Sequence, residues 1–194
     1  MKWIRNLYDW ILHWAKTPYG VPALFILAFA ESSFFPIPPD ILLIALALSV
    51  PTKAFRFALV CSVASVLGGM VGYGIGWGLW ASFKPVFFDY IPGFTEERFL
   101  YIEGLYKEYD FWIVFAAGFT PIPYKIFTIL AGVTGINFPI FILASALSRS
   151  ARFFLVAGLI YKFGPRISEF IDKYFNWLTL AFTVLLVGAF LILK

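Results

Sequence analysis

The chain has 194 residues, of which 61% are hydrophobic, 21% aromatic and only 13% charged. A soluble domain carries about a quarter of its residues as charges, and here the apolar residues fall in long runs, so the composition specifies an integral membrane protein. The formal net charge of +4 is scattered around those runs, which bears on orientation in a bilayer and excludes a nucleic-acid footprint. Cys61 is the only cysteine and His13 the only histidine. The first excludes an intrachain disulfide or a thiolate metal site, and the second argues against a His-rich metal site or Ser-His-Asp catalysis.

Residues 1–16 lack the continuous apolar core and small-residue cleavage site of a signal peptide. Trp3, Ile4, Leu7, Trp10, Ile11 and Trp14 share one helical face, and Lys2, Arg5, Asn6, Asp9, His13 and Lys16 share the other. The pattern predicts an amphipathic helix over residues 1–18, lying in the membrane interface with His13 solvated. Pro18, Gly20 and Pro22 then turn the chain into the bilayer.

Residues 21–35 and 41–50 are apolar arms of 15 and 10 residues, roughly 22 and 15 Å as helix. A hydrocarbon core is about 30 Å thick, so the second arm cannot cross it. Glu31 and the run Pro36-Ile37-Pro38-Pro39-Asp40 lie within and between these arms. A re-entrant hairpin with residues 36–40 at its tip is the economical arrangement. A carboxylate at membrane depth marks a functional site by default. Prolines there break the helix, which is tolerated only inside protein or beside a wet cavity.

After Pro51-Thr52-Lys53, residues 55–83 are long enough to span. They contain Gly68, Gly69, Gly72, Gly74, Gly76 and Gly78, with Ser62 and Ser65 earlier; small residues at such spacing let another backbone approach closely, with a glycine-lined substrate path as the alternative. Residues 84–110 are the most polar. Pro85, Pro92 and Gly93 are expected to break them, and Thr95 to cap a helix with Glu96 and Glu97 in its first turn. Phe99, Ile102, Tyr106 and Tyr109 would line one face of that interfacial helix.

Residues 111–120 and 126–136 are again too short to span, and they flank Pro121-Ile122-Pro123-Tyr124-Lys125. The Pro-Ile-Pro motif recurs at an offset of 85 residues, each time followed by a short apolar arm and a long span, 55–83 or 138–161. This order predicts an internal duplication in which Asp40 falls opposite Lys125. Arg149 and Arg152 share one helical face near the middle of the second span, from which snorkelling is difficult, so both should face the protein interior. Beyond Gly164-Pro165, residues Ile167, Phe170, Ile171 and Tyr174 predict another interfacial helix, and residues 177–193 a final span.

With both hairpins re-entrant, eight Lys and Arg fall on one side and four on the other, alongside six Asp and Glu. The eight-charge side, which includes the N-terminus, is predicted to be cytoplasmic. The expected fold class is an all-α integral membrane protein with two opposed re-entrant helical hairpins in an inverted repeat, plus transmembrane spans and interfacial amphipathic helices. Its parts are the interfacial helix (1–18), a membrane domain (19–164, with repeats over about 19–83 and 111–164) and a C-terminal interfacial helix and span (165–194).

Five ionisable residues lie in membrane-embedded sequence: Glu31, Asp40, Lys125, Arg149 and Arg152. One reading is an internal salt-bridge cluster that fixes the hairpins together, including neutralisation of Glu31 and Asp40 by Arg149 and Arg152. The other makes Lys125, Arg149 and Arg152 phosphate contacts. Glu31 and Asp40 are then proton-linked gates, since desolvation favours the neutral form of a carboxylate. Pro36, Pro38, Pro39, Pro121 and Pro123 shape the tips, whose backbone amides offer donors to a headgroup. With no nucleophile-plus-His set and no clustered metal-binding carboxylates, neither an enzyme nor a metal site is expected.

Glu31 followed by Phe35-Pro36-Ile37-Pro38-Pro39-Asp40, the glycine-rich span, and Gly118-Phe119-Thr120-Pro121-Ile122-Pro123-Tyr124-Lys125 leading to Ala131-Gly132 resemble the DedA family. These are the VTT-domain, or SNARE-associated, membrane proteins, and the sequence looks closest to the YqaA-like branch. The resemblance covers roughly residues 19–164. It implies two opposed re-entrant hairpins and movement of lipids across the bilayer. Bacterial members are linked to polyprenyl-phosphate carrier recycling or phospholipid flipping, often proton-coupled, and eukaryotic relatives scramble phospholipids.

Glu31 and Asp40 match the family's essential acidic pair, at a shorter spacing. Gly118 stands where many members have an Arg, and Lys125 matches their second Arg only approximately, which makes Arg149 and Arg152 candidates for the missing cations. The expected function is therefore a proton-coupled flippase for an anionic lipid, a polyprenyl phosphate or a phospholipid, in the inner (plasma) membrane. Its partners would be that lipid and protons, with no nucleic acid and no cofactor, and homo-oligomer formation is left open. A passive scramblase and a structural or assembly protein are the alternatives.

Overall fold

The computed structural model describes residues 17, 19–34, 38–90, 95–120 and 122–164. The helix expected over residues 1–18 (apart from Thr17), the helix and span expected over 165–194, and the tip prolines Pro36 and Pro121 lie outside these described residues. Among them all regular structure is helical: α1 (Gly20–Ser33), α2 (Asp40–Ser49), a 3-10 turn (Pro51–Lys53), α3 (Ala54–Tyr90), α4 (Glu96–Glu108), α5 (Asp110–Phe119), α6 (Tyr124–Thr134) and α7 (Phe138–Phe163).

Two segments, Pro51–Ser82 and Phe138–Phe163, are long and apolar enough to cross a membrane. The apolar helices α1, α2, α5 and α6 have 14, 10, 10 and 11 residues, at most about 21 Å of helix. None of these four reaches across a hydrocarbon core by itself. Their brevity follows from the prolines between them, since Pro38 and Pro39 precede α2 and Pro123 precedes α6, where a missing N–H leaves no hydrogen bond unmade.

Pro85 behaves differently from the sequence expectation. It does not break the chain, because α3 continues through it to Tyr90. A proline removes one intrahelical hydrogen bond, and α3 is already held along its earlier turns by α1, α6 and α7. The expected face of α4 also finds protein as its partner. Phe99 and Tyr106 are buried, Tyr106 within the cluster of Val114, Ala117 and Tyr124, while Tyr109 just past the helix stays exposed.

α1 lies along α3 and α5 lies along α7, whereas α6 crosses over to α3 and α2 reaches α7 as well as α3. The two long helices are antiparallel. Phe55 meets Phe154 and Tyr161 at centroid distances of 6.1 and 5.4 Å, and Tyr73 meets Phe138 and Phe141 at 5.0 and 5.2 Å. Glycine permits the closest of these crossings. A Cβ on Gly68 would collide with the Phe29 carbonyl of α1, one on Gly76 with the Ile129 carbonyl of α6, and one on Gly132 with the Tyr73 carbonyl of α3. Gly74 and Gly78, on the other side of α3, face open space. The glycine-rich stretch is a packing stripe on one face and not on the other.

Candidate functional site

α7 carries Arg149 and Arg152 three residues apart, and they reach different helices. The Arg149 Nη2 donates to Glu31 Oε2 at 2.9 Å, and its Nε donates to Ser65 Oγ at 2.6 Å. Ser32 Oγ donates to the same Glu31 oxygen at 3.1 Å and lies 2.6 Å from Ser65 Oγ. Because the Ser32 hydrogen is committed to Glu31, Ser65 is the donor to Ser32. The four side chains close a ring: Arg149 to Ser65, Ser65 to Ser32, Ser32 to Glu31, and Arg149 to Glu31.

Burial makes that ring necessary. The Arg149 and Glu31 side chains are only 3% and 13% exposed, and both serines are fully buried. Polar groups in such a place require partners, and a chain of hydrogen bonds polarises its members so that each strengthens the next. The guanidinium also lies over the rings of Tyr124 and Phe153, at 5.0 and 4.6 Å to the centroids, where aromatic faces attract a cation. The Tyr124 hydroxyl donates to Ser145, which orients that ring. Ser33 Oγ shares its hydrogen between the Phe29 and Gly68 carbonyls at 2.8 and 2.9 Å, pinning the end of α1 to α3.

Arg152 makes the second pair. Its Nε and Nη2 address Asp40 Oδ1 and Oδ2 at 3.2 and 2.9 Å, the bidentate fork that suits a carboxylate or a phosphate. Its Nη1 donates to the Thr120 carbonyl at 2.7 Å. Both partners sit at helix ends of favourable sign. Asp40 opens α2, where a negative charge complements the helix dipole, and Thr120 closes α5, where the carbonyls are the negative end. Arg152 thereby ties α2 to α5, with Arg152 and Asp40 each 19% exposed.

Four of the five ionisable residues singled out in the sequence are thus gathered into two ion pairs. The opposition of Asp40 and Lys125 in the repeat does not become a contact, because Asp40 is taken by Arg152. The Lys125 ammonium has neither an ion-pair nor a hydrogen-bond partner among the described residues. It is partly buried in the first turn of α6, where the helix dipole disfavours a cation. Of the tip prolines, Pro39 is buried at the start of α2, while Pro38 and Pro123 are exposed. No group of three or more His, Cys, Asp or Glu able to hold a metal gathers among the described residues.

The sequence did not single out Ser32, Thr120 or Tyr124, and it treated Ser65 only as a small residue for packing. Nothing in a hydroxyl distinguishes it from Ser62, which bonds back to the Ala58 carbonyl of its own helix at 2.8 Å. The Thr120 contribution is a backbone carbonyl and leaves no signature in residue type.

Residues 35–162 match the VTT domain, a stretch that contains Asp40, Lys125 and both arginines and begins just after Glu31. Two uncharacterised proteins, from Haemophilus influenzae and Histophilus somni, are each 35% identical to the chain over 199 residues, covering 100% of both partners. No solved structure matches it. Together with two helices able to cross a bilayer, the match shows that the chain belongs to the VTT-domain family of membrane proteins.

Proposed function

We propose that the protein is a proton-coupled flippase for an anionic lipid, a polyprenyl phosphate or a phospholipid. The observation that carries this reading is that Glu31 and Asp40 each occupy an arginine suited to a phosphate. With both carboxylates ionised, Glu31, Asp40, Lys125, Arg149 and Arg152 carry a net charge of one positive unit. With both protonated they carry three. A phosphate then replaces each carboxylate, in the fork that Arg152 offers Asp40 and on the Nη2 edge that Arg149 offers Glu31, with Lys125 as a further contact. Proton binding and phosphate binding favour one another, and that reciprocity couples them.

In this reading α1 with α2 and α5 with α6 are opposed re-entrant hairpins of an inverted repeat, supported by their shortness and by the crossing of α6 to α3 and of α2 to α7. The protein lies in the inner membrane with its N-terminus cytoplasmic, and within the family it stands closest to the YqaA-like branch. In proteoliposomes, folded Glu31→Gln or Arg149→Ala protein is expected to lose transport of a labelled polyprenyl phosphate. Wild-type rates from both variants would overturn the mechanism. Collapsing the proton gradient is expected to stop net transport, and an undiminished rate would identify a passive scramblase.

The complete pairing of Glu31 and Asp40 favours a second reading, in which the charges only clamp the helices. Since the partner of Asp40 is Arg152, these two are replaced together. Exchange of a buried ion pair for apolar residues of similar size is often neutral for stability, so Asp40→Leu with Arg152→Met is expected to fold and melt close to wild type. Transport at the wild-type rate in that variant supports the clamp, and its loss supports the flippase.

A further inference from the structure

We infer that Ser65 is a positioning residue that keeps Arg149 in place when Glu31 takes up a proton, and that Ser32 is the adaptor between them. The inference rests on the proton-linked role of Glu31 proposed above. Its warrant is the direction of the hydrogen-bonded ring. With Glu31 ionised, hydrogens run from Arg149 Nε to Ser65, from Ser65 to Ser32 and from Ser32 to Glu31 Oε2, with Arg149 Nη2 closing the ring.

A hydronium ion gives up one O–H bond and leaves as water, while one O–H bond forms at Glu31 Oε2. Glu31 is then the donor and Ser32 the acceptor, so the Ser32 hydroxyl turns to donate to Ser65. A serine oxygen has two lone pairs, and Ser65 Oγ therefore accepts from Ser32 and from Arg149 Nε together. Its own hydrogen turns to the carbonyl four residues back, the bond that Ser62 already makes to Ala58 at 2.8 Å and Thr134 to Leu130 at 2.9 Å. Both serines remain fully satisfied. The bond that weakens is that of Arg149 Nη2, whose partner turns from a carboxylate into a neutral carboxyl, and this is the edge that would take a phosphate.

Arg149 does not need to move in this exchange. Its Nε stays on Ser65, and its guanidinium stays over Tyr124 and Phe153. Among the described residues, Arg149 on α7, Tyr124 on α6 and Cys61 on α3 are ionisable groups within electrostatic reach of Glu31, and Asp40 of α2 also acts on Cys61. Of these, only Arg149 hydrogen-bonds to Glu31. Take away the Ser65 hydroxyl, and a protonated Glu31 leaves Arg149 held by one weakened hydrogen bond and the aromatic faces.

The test is equilibrium binding of farnesyl phosphate to the full chain in lipid nanodiscs, followed across pH. Wild type is expected to bind more tightly as pH falls, and Glu31→Gln to bind tightly throughout. A hydrogen bond to a charged group is worth about a factor of ten or more in an equilibrium, so Ser65→Ala is expected to lose at least about tenfold of the low-pH affinity. Ser62→Ala, which removes a buried hydroxyl of the same helix that bonds to the Ala58 carbonyl and not to the ring, is expected to keep that affinity. A merely structural role would weaken both variants alike. Should Ser65→Ala not fold, Ser65→Cys keeps the side-chain shape with only a weak acceptor, and the same profile is read from it. A Ser65 variant that follows the wild-type profile overturns this inference and leaves the flippase standing, whereas a wild type indifferent to pH overturns the flippase itself.

Discussion

Arg149→Ala is expected to destabilise the protein by about 3–5 kcal/mol, the cost of leaving a buried partner charge uncompensated. The loss has three parts in this fold. Glu31 keeps only the Ser32 hydrogen, Ser65 loses its donor, and the rings of Tyr124 and Phe153 lose the group they cover. Replacing both charges at once tells a different story, because an apolar pair carries no desolvation penalty. Glu31→Leu with Arg149→Met is therefore expected to recover most of the stability. Denaturant titration of the detergent-solubilised protein reads both values. If the double variant were no more stable than Arg149→Ala, the penalty would lie in lost packing and not in the stranded carboxylate.

Alanine at Gly76 or Gly132 is expected to cost about 1–3 kcal/mol, the usual range for overpacking. The two residues sit on opposite sides of one crossing between α3 and α6, and each added methyl meets backbone, which cannot rotate aside as a side chain can. α6 must retreat. Its retreat also breaks the bond from Thr128 Oγ1 to the Ser32 carbonyl, 3.2 Å long, and withdraws Tyr124 from Arg149. Gly74 and Gly78 provide the control on the same helix. Nothing lies within 4 Å of a Cβ at either position, and alanine is the better helix former by about 1 kcal/mol. Gly74→Ala and Gly78→Ala are expected to hold or raise the melting temperature. Equal losses at all four positions would mean that the stripe is not what sets the crossing.

Both expectations mark where residue patterns stop being informative. Apolar run lengths determined the two spanning helices and the short arms, because helical rise and bilayer thickness are fixed quantities. The prolines set where the short arms end, and the mid-span position of Arg149 and Arg152 required both to seek partners inside the protein, which they do. Pro85 shows the opposite limit: a local breaking tendency gives way where neighbouring helices hold the turns before it.

Which charge meets which was not legible. Aligning the repeats sets Asp40 against Lys125, yet the contacts run from Asp40 to Arg152 across 112 positions and from Glu31 to Arg149 across 118. Those pairings depend on how deeply α3 beds against α1 and α6, and that depth is decided by the absence of side chains at Gly68, Gly76 and Gly132. The sequence by itself determined a helical membrane protein with five ionisable residues in or beside its apolar segments. Only the tertiary structure decided that four of them pair, that two buried serines complete one of the pairs, and that Lys125 has no partner among the described residues. The reason is physical: burial penalises each charge residue by residue, but its relief is a contact, and contacts belong to the crossing of helices.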